Sequence, residues 1–266
     1  MTYTQDNVAI EMIGVEKNFC GQKVLNGIQL SITEGKTTVI TGASGQGKSV
    51  ILKHMLGLIH PDRGNVRVFG QDINLIGKKQ RQNLRGSFGV LFQSVALFDS
   101  MTVYDNVALP LRERSRLGEA AIRANVEEKL ALMDLHDVNH KYPTQLSGGM
   151  KKRVGLARAL MLDPRVVFFD EPTTGLDVHR SNEIYRLFHH TQKELGYTAV
   201  IVSHDVPRIF KLADYVALLA DGKIQGCLSP NEFQRAENPH IKAFVETTMG
   251  PIYMSEQEEH SVHASI

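Results

Sequence analysis

The sequence predicts an α/β domain. A mostly parallel sheet is covered by helices, with antiparallel β-structure at its N-terminal end and a helical insertion in its middle. Three features lead there. Residues 41–49, TGASGQGKS, form a glycine-rich loop between an apolar strand over 37–41 (TTVIT) and a helical run over 48–58. Two further apolar runs, VVFFD over 166–170 and TAVIVSH over 198–204, alternate with helical patterns, as a covered parallel sheet requires. The stretch from about 94 to 145 instead repeats its apolar residues three to four apart.

Taken in order, residues 8–40 alternate and turn like β-structure, with Gly21 and Gly35 as turn punctuation. GNVRVFG over 64–70 reads as a hairpin edge, and FGVLFQ over 88–93 as another apolar strand. TVYDNVALPLRERS and EAAIRANVEEKLALMDL supply the amphipathic helices of the insertion. Helices are expected at about 149–161 and about 178–195, and a closing hairpin over 216–227. NPHIKAFVETTMG over 238–250 reads as a short helix, followed by a polar, acidic stretch over 251–266. The expected division is a core domain over 1–245, with a helical subdomain over about 94–160, and a tail over 246–266 that is disordered or bound to a partner.

Composition narrows the function classes. Of 266 residues, 42% are apolar, enough for an ordinary core and too many for a disordered chain. A net charge of +1 argues against a general nucleic-acid binder. Cys20 and Cys227 lie far apart, which fits a reducing compartment and gives neither a disulfide framework nor a zinc cluster. His189, His190, His260 and His263 form no convincing ligand set and read as surface residues. The segment MTYTQDNVAIEM has no basic and apolar signal-peptide pattern, and no run nears the ~18 apolar residues of a membrane span. The chain is expected to be soluble by itself and to reach a membrane through a partner.

Gly42, Ala43, Ser44, Gly45, Gln46, Gly47, Lys48 and Ser49 match G-x-x-x-x-G-K-[ST] in full. The glycines let backbone N–H groups curl around an anion, and the helix start adds a favourable dipole. Lys48 would reach the β/γ-phosphates, and the Ser49 hydroxyl would ligate Mg²⁺. VVFFDE delivers Asp170 and Glu171 at the carboxyl end of its strand. Asp170 would hold the magnesium, and Glu171 would polarise a water for in-line attack on the γ-phosphate. A second helix start, Ser147-Gly148-Gly149, precedes a basic run and makes another anion site. One γ-phosphate already held by the first loop does not need it from the same chain. Two copies placed head to tail use both, each serine-glycine start closing over the other copy's ATP.

The motifs LSGGM, GASGQGKS and VVFFDE resemble the signature, Walker A and Walker B sequences of ABC-transporter ATPases, a family of P-loop NTPases. The resemblance runs over nearly the whole chain. It implies ATP with Mg²⁺, ATP hydrolysis, dimerisation with a second copy and work on an integral membrane permease. It also implies roles for Gln93 in VLFQS (Q-loop, metal and catalysis), Asp177 in TTGLD (D-loop), His204 in IVSHD (switch histidine) and Phe19 (adenine stacking). By themselves Gln93, His204, Phe19 and Asp177 read equally as a loop amide, a lone histidine, a core aromatic and a helix-capping acid.

Met150 stands where signature motifs often carry Gln. The stretch FQSVALFDSMTVYDNVALPL over 92–111 and the tail KAFVETTMGP over 242–251 resemble the ATPases of MCE-type lipid transporters, the Mla phospholipid-trafficking group of Gram-negative envelopes. That implies a place on the cytoplasmic face of the inner membrane, an MCE protein and a small STAS-domain protein as partners, and no nucleic acid. Amino-acid importer ATPases, such as those for methionine, share a similar TVYDNVALPL stretch and remain an alternative, as does a non-transport ABC ATPase that regulates cell-wall enzymes.

Overall fold

The computed structural model describes residues 8–248, apart from the side chains at 206 and 207. Two antiparallel strands open the chain, β1 (Val8–Phe19) and β2 (Gln22–Thr33), followed by β3 (Thr37–Thr41) and α1 (Lys48–Met55). A hairpin of β4 (Arg63–Val68) and β5 (Gln71–Asp72) leads to α2 (Lys78–Gly86) and β6 (Phe88–Leu91). The insertion supplies α3 (Val103–Arg114) and α4 (Glu119–Leu132), and α5 (Gly148–Leu160) returns to β7 (Val166–Asp170). Then come α6 (Val178–Leu195), β8 (Thr198–Val202), α7 (Val206–Ile209), the hairpin β9 (Tyr215–Ala220) and β10 (Lys223–Leu228), and α8 (Pro230–Gln234). A helix occupies 239–248. The tail expected from 246 onward lies, beyond residue 248, outside the described residues.

Two sheets result. One has strand order β2-β1-β4-β5 and is antiparallel throughout. The other has order β10-β9-β3-β8-β7-β6, parallel except at β10. Successive side chains of a strand leave on opposite faces, so each parallel strand feeds two cores. Val39, Val167, Phe169 and Ile201 join the helical side with α3, α4, α5 and α6. Ile40, Val166, Phe168 and Val200 join α1 and the antiparallel sheet. Phe168 meets Phe88 edge-on at 5.3 Å, while Phe169 tilts onto Phe188 at 4.4 Å on the other face.

Beyond the short helices α7 and α8, which the sequence reading does not include, the structure departs from the expectations at three places. α1 closes at Met55 with Leu56 as its C-cap, three residues short of the expected end. The insertion does not begin as helix. Val95 and Ala96 take left-handed φ of 63° and 51°, and α3 starts only where Thr102 caps it by accepting from Asp105 N at 3.1 Å. Buried Asn106 fastens that loop, accepting from Phe98 N and donating to the carbonyls of Phe98, Met101 and Thr102. α2 has no counterpart in the sequence expectation. Its KKQRQNLRG sequence lacks apolar periodicity, and Arg81 and Arg85 hold it by donating to the carbonyls of Ile76 and Gly57.

His54 on α1 is fully buried. Its Nδ1–H donates to Val50 O at 2.7 Å, while Nε2 has no partner among the described residues. Burial lowers its pKa, more than the neighbouring Asp62 raises it. The neutral ring is therefore favoured in the fold, and stability is fully present above the free-histidine pKa near 6.5 and falls as pH drops below it. Denaturant curves at about pH 7.5 and about pH 5.5 are expected to differ by up to ~1.4 kcal/mol per pH unit through this group. His54→Met should remove most of that difference, and equal slopes for the two proteins would contradict the assignment.

Candidate functional site

The glycine loop leaves β3, a fully buried strand at the centre of the parallel sheet, and enters α1 directly. Gly47 is the N-cap, at φ 102°. A Cβ there would stand 2.8 Å from Val24 Cγ1 on β2, so the loop lies against the antiparallel sheet at a point where only glycine fits. Val50 N and Ile51 N turn back to Gly47 O at 3.0 Å, closing the first helical turn. Gln46 points away from the loop and accepts from Asp221 N at 3.2 Å.

β7 runs parallel to β3, one strand removed across β8, so its carboxyl end comes out on the same edge. Ser49 Oγ donates to Asp170 Oδ1 at 3.3 Å. Lys48 Nζ donates to Gly42 O at 2.8 Å and Ala43 O at 3.0 Å. Burial raises the Asp170 carboxyl above the usual range against the opposing Ser49 bond, and burial lowers the Lys48 ammonium despite the nearby Glu171 and Asp170 charges. A desolvated carboxylate beside a hydroxyl is a hard oxygen pair suited to Mg²⁺, and a desolvated ammonium is suited to phosphate oxygens. These residues therefore fit the nucleotide and cation that the sequence implies.

Glu171 follows with a left-handed φ of 47° and is anchored by its N–H to Val202 O at 2.9 Å. His204, just past β8, brings Nδ1 to 2.7 Å from Glu171 Oε2, where a proton on the ring donates to the carboxylate. The histidine side chain is 66% exposed and the glutamate 15%. Ser44, Gly45, Gly47, Lys48, Ser49, Gln93, Glu171, Thr174 and His204 line one open cleft of about 400 Å³. The glycine loop, Gln93, Glu171 and His204, drawn from four separate elements, thus share one space.

Other sequence candidates lie elsewhere. Ser147 caps α5 by accepting from Met150 N at 3.3 Å, and Ser147 and Gly148 are exposed and do not line the cleft. Asp177 caps α6 by accepting from Arg180 N at 2.9 Å, and this bond lowers its carboxyl pKa. Phe19 is 43% exposed at the end of β1 with Lys17 Nζ 5.6 Å from its ring centre, and it does not line the cleft.

The family model for "ABC transporter" matches residues 25–174. The chain belongs to the ABC transporter family. It is 39% identical over 259 residues to the probable ribonucleotide transport ATP-binding protein Mkl of Mycobacterium leprae, covering 97% of this chain and 74% of that one. It is 37% identical over 223 residues to the intermembrane phospholipid transport system ATP-binding protein MlaF of Escherichia coli K12, covering 84% and 83%. The dimeric post-hydrolysis structure of the ATP-binding cassette MJ0796, bound to ADP and Pi, superposes with a TM-score of 0.75 at 29% identity, covering 83% of this chain and 98% of that one. This ABC cassette is an ATPase, and its cofactor pair is ATP with Mg²⁺. Among the described residues, no helix is long and apolar enough to cross a membrane.

Three side chains around the site escaped sequence reasoning. Tyr185 on α6 is buried, with its hydroxyl 2.9 Å from Thr173 Oγ1 and 3.4 Å from Ser203 Oγ. It ties the turn after Glu171 to the residue before His204, and burial pushes its pKa up to about 12. In sequence it is one aromatic on an amphipathic helix, with no signal beyond that. Lys152 and Arg158 of α5 donate to loop carbonyls at Gln93, Val95 and Ala96. Their signal was positional, since Lys152 stands four residues before buried Leu156 and shares its helix face. Tyr185→Phe keeps the volume and strands the two partner hydroxyls. It is expected to cost about 1 kcal/mol in denaturant unfolding, whereas an unshifted midpoint would mean that the hydroxyl bridge holds nothing.

Proposed function

We propose that two copies of this cassette close head to tail around two ATP and drive an integral membrane permease for phospholipids, between the inner and outer membranes of a Gram-negative cell. In each copy, the loop Gly42–Ser49 cradles the phosphates and Lys48 supplies the positive charge. Ser49, Asp170 and Gln93 are the residues that would hold Mg²⁺, which when bound offsets phosphate charge. Glu171 orients water and accepts its proton; His204, paired with Glu171 at 2.7 Å, keeps the carboxylate aimed, and the doubly protonated ring can also donate its second N–H to a γ-phosphate oxygen. Ser147, Gly148 and Gly149 close over the partner copy's ATP, with Asp177 beside them, and Phe19 stacks on adenine. The exposure of Ser147 and Gly148, outside the lining of the chain's own cleft, supports a shared site.

The observation that carries the substrate class is the 37% identity to MlaF over most of both chains, together with FQSVALFDSMTVYDNVALPL at the Q-loop. The Mkl match, at 39%, supports the same cassette under a different substrate name. The chain works at the cytoplasmic face of the inner membrane, held there by the permease, with an MCE protein and a small STAS-domain protein as further partners. Residues 1–245 form the ATPase domain and 246–266 a tail that is disordered or bound to a partner. A groove beside Gln93 is the surface that receives a cytoplasmic helix of the permease. Recovery of the tagged chain from native membranes in mild detergent, with mass spectrometry of proteins and lipids, tests the assignment. An MCE-type protein with phospholipid supports it, and a ribonucleotide or amino-acid permease without lipid overturns it.

Two variants test the chemistry. Glu171→Gln should bind ATP normally and lose about 10²–10⁴-fold in turnover, the contribution of a positioned general base; brisk hydrolysis by that variant would refute the role. Lys48→Ala should weaken ATP binding by roughly tenfold to a hundredfold, the loss of a charge-assisted hydrogen bond. Equilibrium titration with a fluorescent ATP analogue measures it, and unchanged affinity would remove Lys48 from the phosphate site.

A further inference from the structure

Lys152 sits on the inner face of α5, only 5% exposed. Its Nζ donates to the Gln93 carbonyl at 2.6 Å, and that carbonyl is its hydrogen-bond acceptor in the structure. Burial, with no offsetting carboxylate, holds its pKa below the ordinary lysine value. An ammonium withdrawn from water onto a single neutral oxygen costs stability, and an apolar side chain of similar length would sit there more favourably. Packing therefore does not account for a lysine at this position, whereas the bond to Gln93 does.

That bond joins two regions with separate duties in the proposed reaction. One turn upstream on α5 lies the Ser147–Gly149 start, which does not line this chain's own cleft. Gln93 itself lines that cleft. Further along the same helix, Arg158 donates to Val95 O at 2.7 Å and Ala96 O at 2.8 Å, the two left-handed residues of the loop. Between them, Gly155 leaves room for the loop, since a Cβ there would overlap Val95 Cγ1 and stand 2.8 Å from Leu91 Cδ1. Residues 152, 155 and 158, three apart on one helix face, thus grip the chain from 91 to 96.

We infer that Lys152 is a positioning residue that couples the two ATP sites of the dimer. The α5 helix and the loop after β6 move as one body. Closure of the α5 start over the partner copy's nucleotide therefore sets Gln93 at this copy's own nucleotide. The inference rests on the shared-site reading above. It also explains why the KKR run following Met150 is not a uniformly solvated basic face.

The test is ATP hydrolysis by the full chain as a function of ATP concentration, with thermal unfolding measured in parallel. The wild-type protein is expected to show a Hill coefficient of roughly 1.5 or more, as two coupled sites require. Lys152→Met should bring it to about 1 and lower turnover about fivefold or more, with KM within about twofold and a melting temperature equal to or above wild type. Lys152→Arg keeps a donor for the Gln93 carbonyl and should retain cooperativity. A purely structural lysine predicts the reverse, with a lower melting temperature and an unchanged Hill coefficient in Lys152→Met, and that result overturns the inference. Should Lys152→Met fail to fold, the Arg variant decides, because cooperativity lost there despite a retained donor also overturns it. ATP-dependent dimerisation of Glu171→Gln separates the two levels. A dimer that forms while Lys152→Met keeps full cooperativity sinks the coupling alone, whereas a persistent monomer sinks the shared-site reading beneath it.

Discussion

The site depends on three strands running parallel and side by side. β3, β8 and β7 share a direction and a register, with Val39 opposite Ile201 and Phe169 opposite Ile201 across the central strand. Because all three end at one edge, the phosphate loop after β3, the carboxylates after β7 and the histidine after β8 emerge within one cleft of each other. Ligand sites in open α/β sheets gather at this carboxyl edge for the same reason. The alternation of the strand side chains locks the register: a one-residue slip of β7 would exchange Phe168 and Phe169 between two fully packed cores. The precision of the Ser49–Asp170 and Glu171–His204 contacts is inherited from that packing.

Burial gives the site its electrostatic character. Lys48 and Asp170 each lie in surroundings that disfavour their own charge. Each is therefore better satisfied by a polyanion with a divalent cation than by the protein's own groups. The left-handed backbone at Glu171 and its N–H bond to Val202 O then hold the remaining carboxylate over the cleft, where His204 reaches it. Tyr185 braces both sides of that pair from behind.

Much of this was legible from residues alone, and the parts that were not share a cause. The phosphate loop, VVFFDE and the order of strands and helices are local signals: glycine spacing, apolar runs and their alternation write them directly. α2 was missed because its stability comes from arginines bonded to distant carbonyls rather than from an apolar stripe. The loop at 94–102 was expected as helix because Asn106, which pins it, carries no mark of burial in the sequence. Tyr185 and Lys152 act across long sequence separations, Lys152 reaching 59 residues back to Gln93. Phe19 and Asp177 illustrate the converse. Their family roles were legible, but the structure by itself shows Asp177 as a helix cap and Phe19 as an exposed strand end.

The central claim is that each ATP site is built from two copies. Mixing two inactive proteins tests it most directly: one carrying Lys48→Ala, the other carrying Ser147→Arg at the α5 start. Each alone forms only broken sites. A mixed dimer holds one doubly broken site and one intact site, so an equal mixture, after exchange, is predicted to recover ATPase activity well above that of either variant alone, up to about a quarter of wild type and roughly fivefold less where the dead site no longer supports its neighbour. No recovery, from two variants that each fold and exchange subunits, would mean that hydrolysis is completed within one chain and would contradict the account.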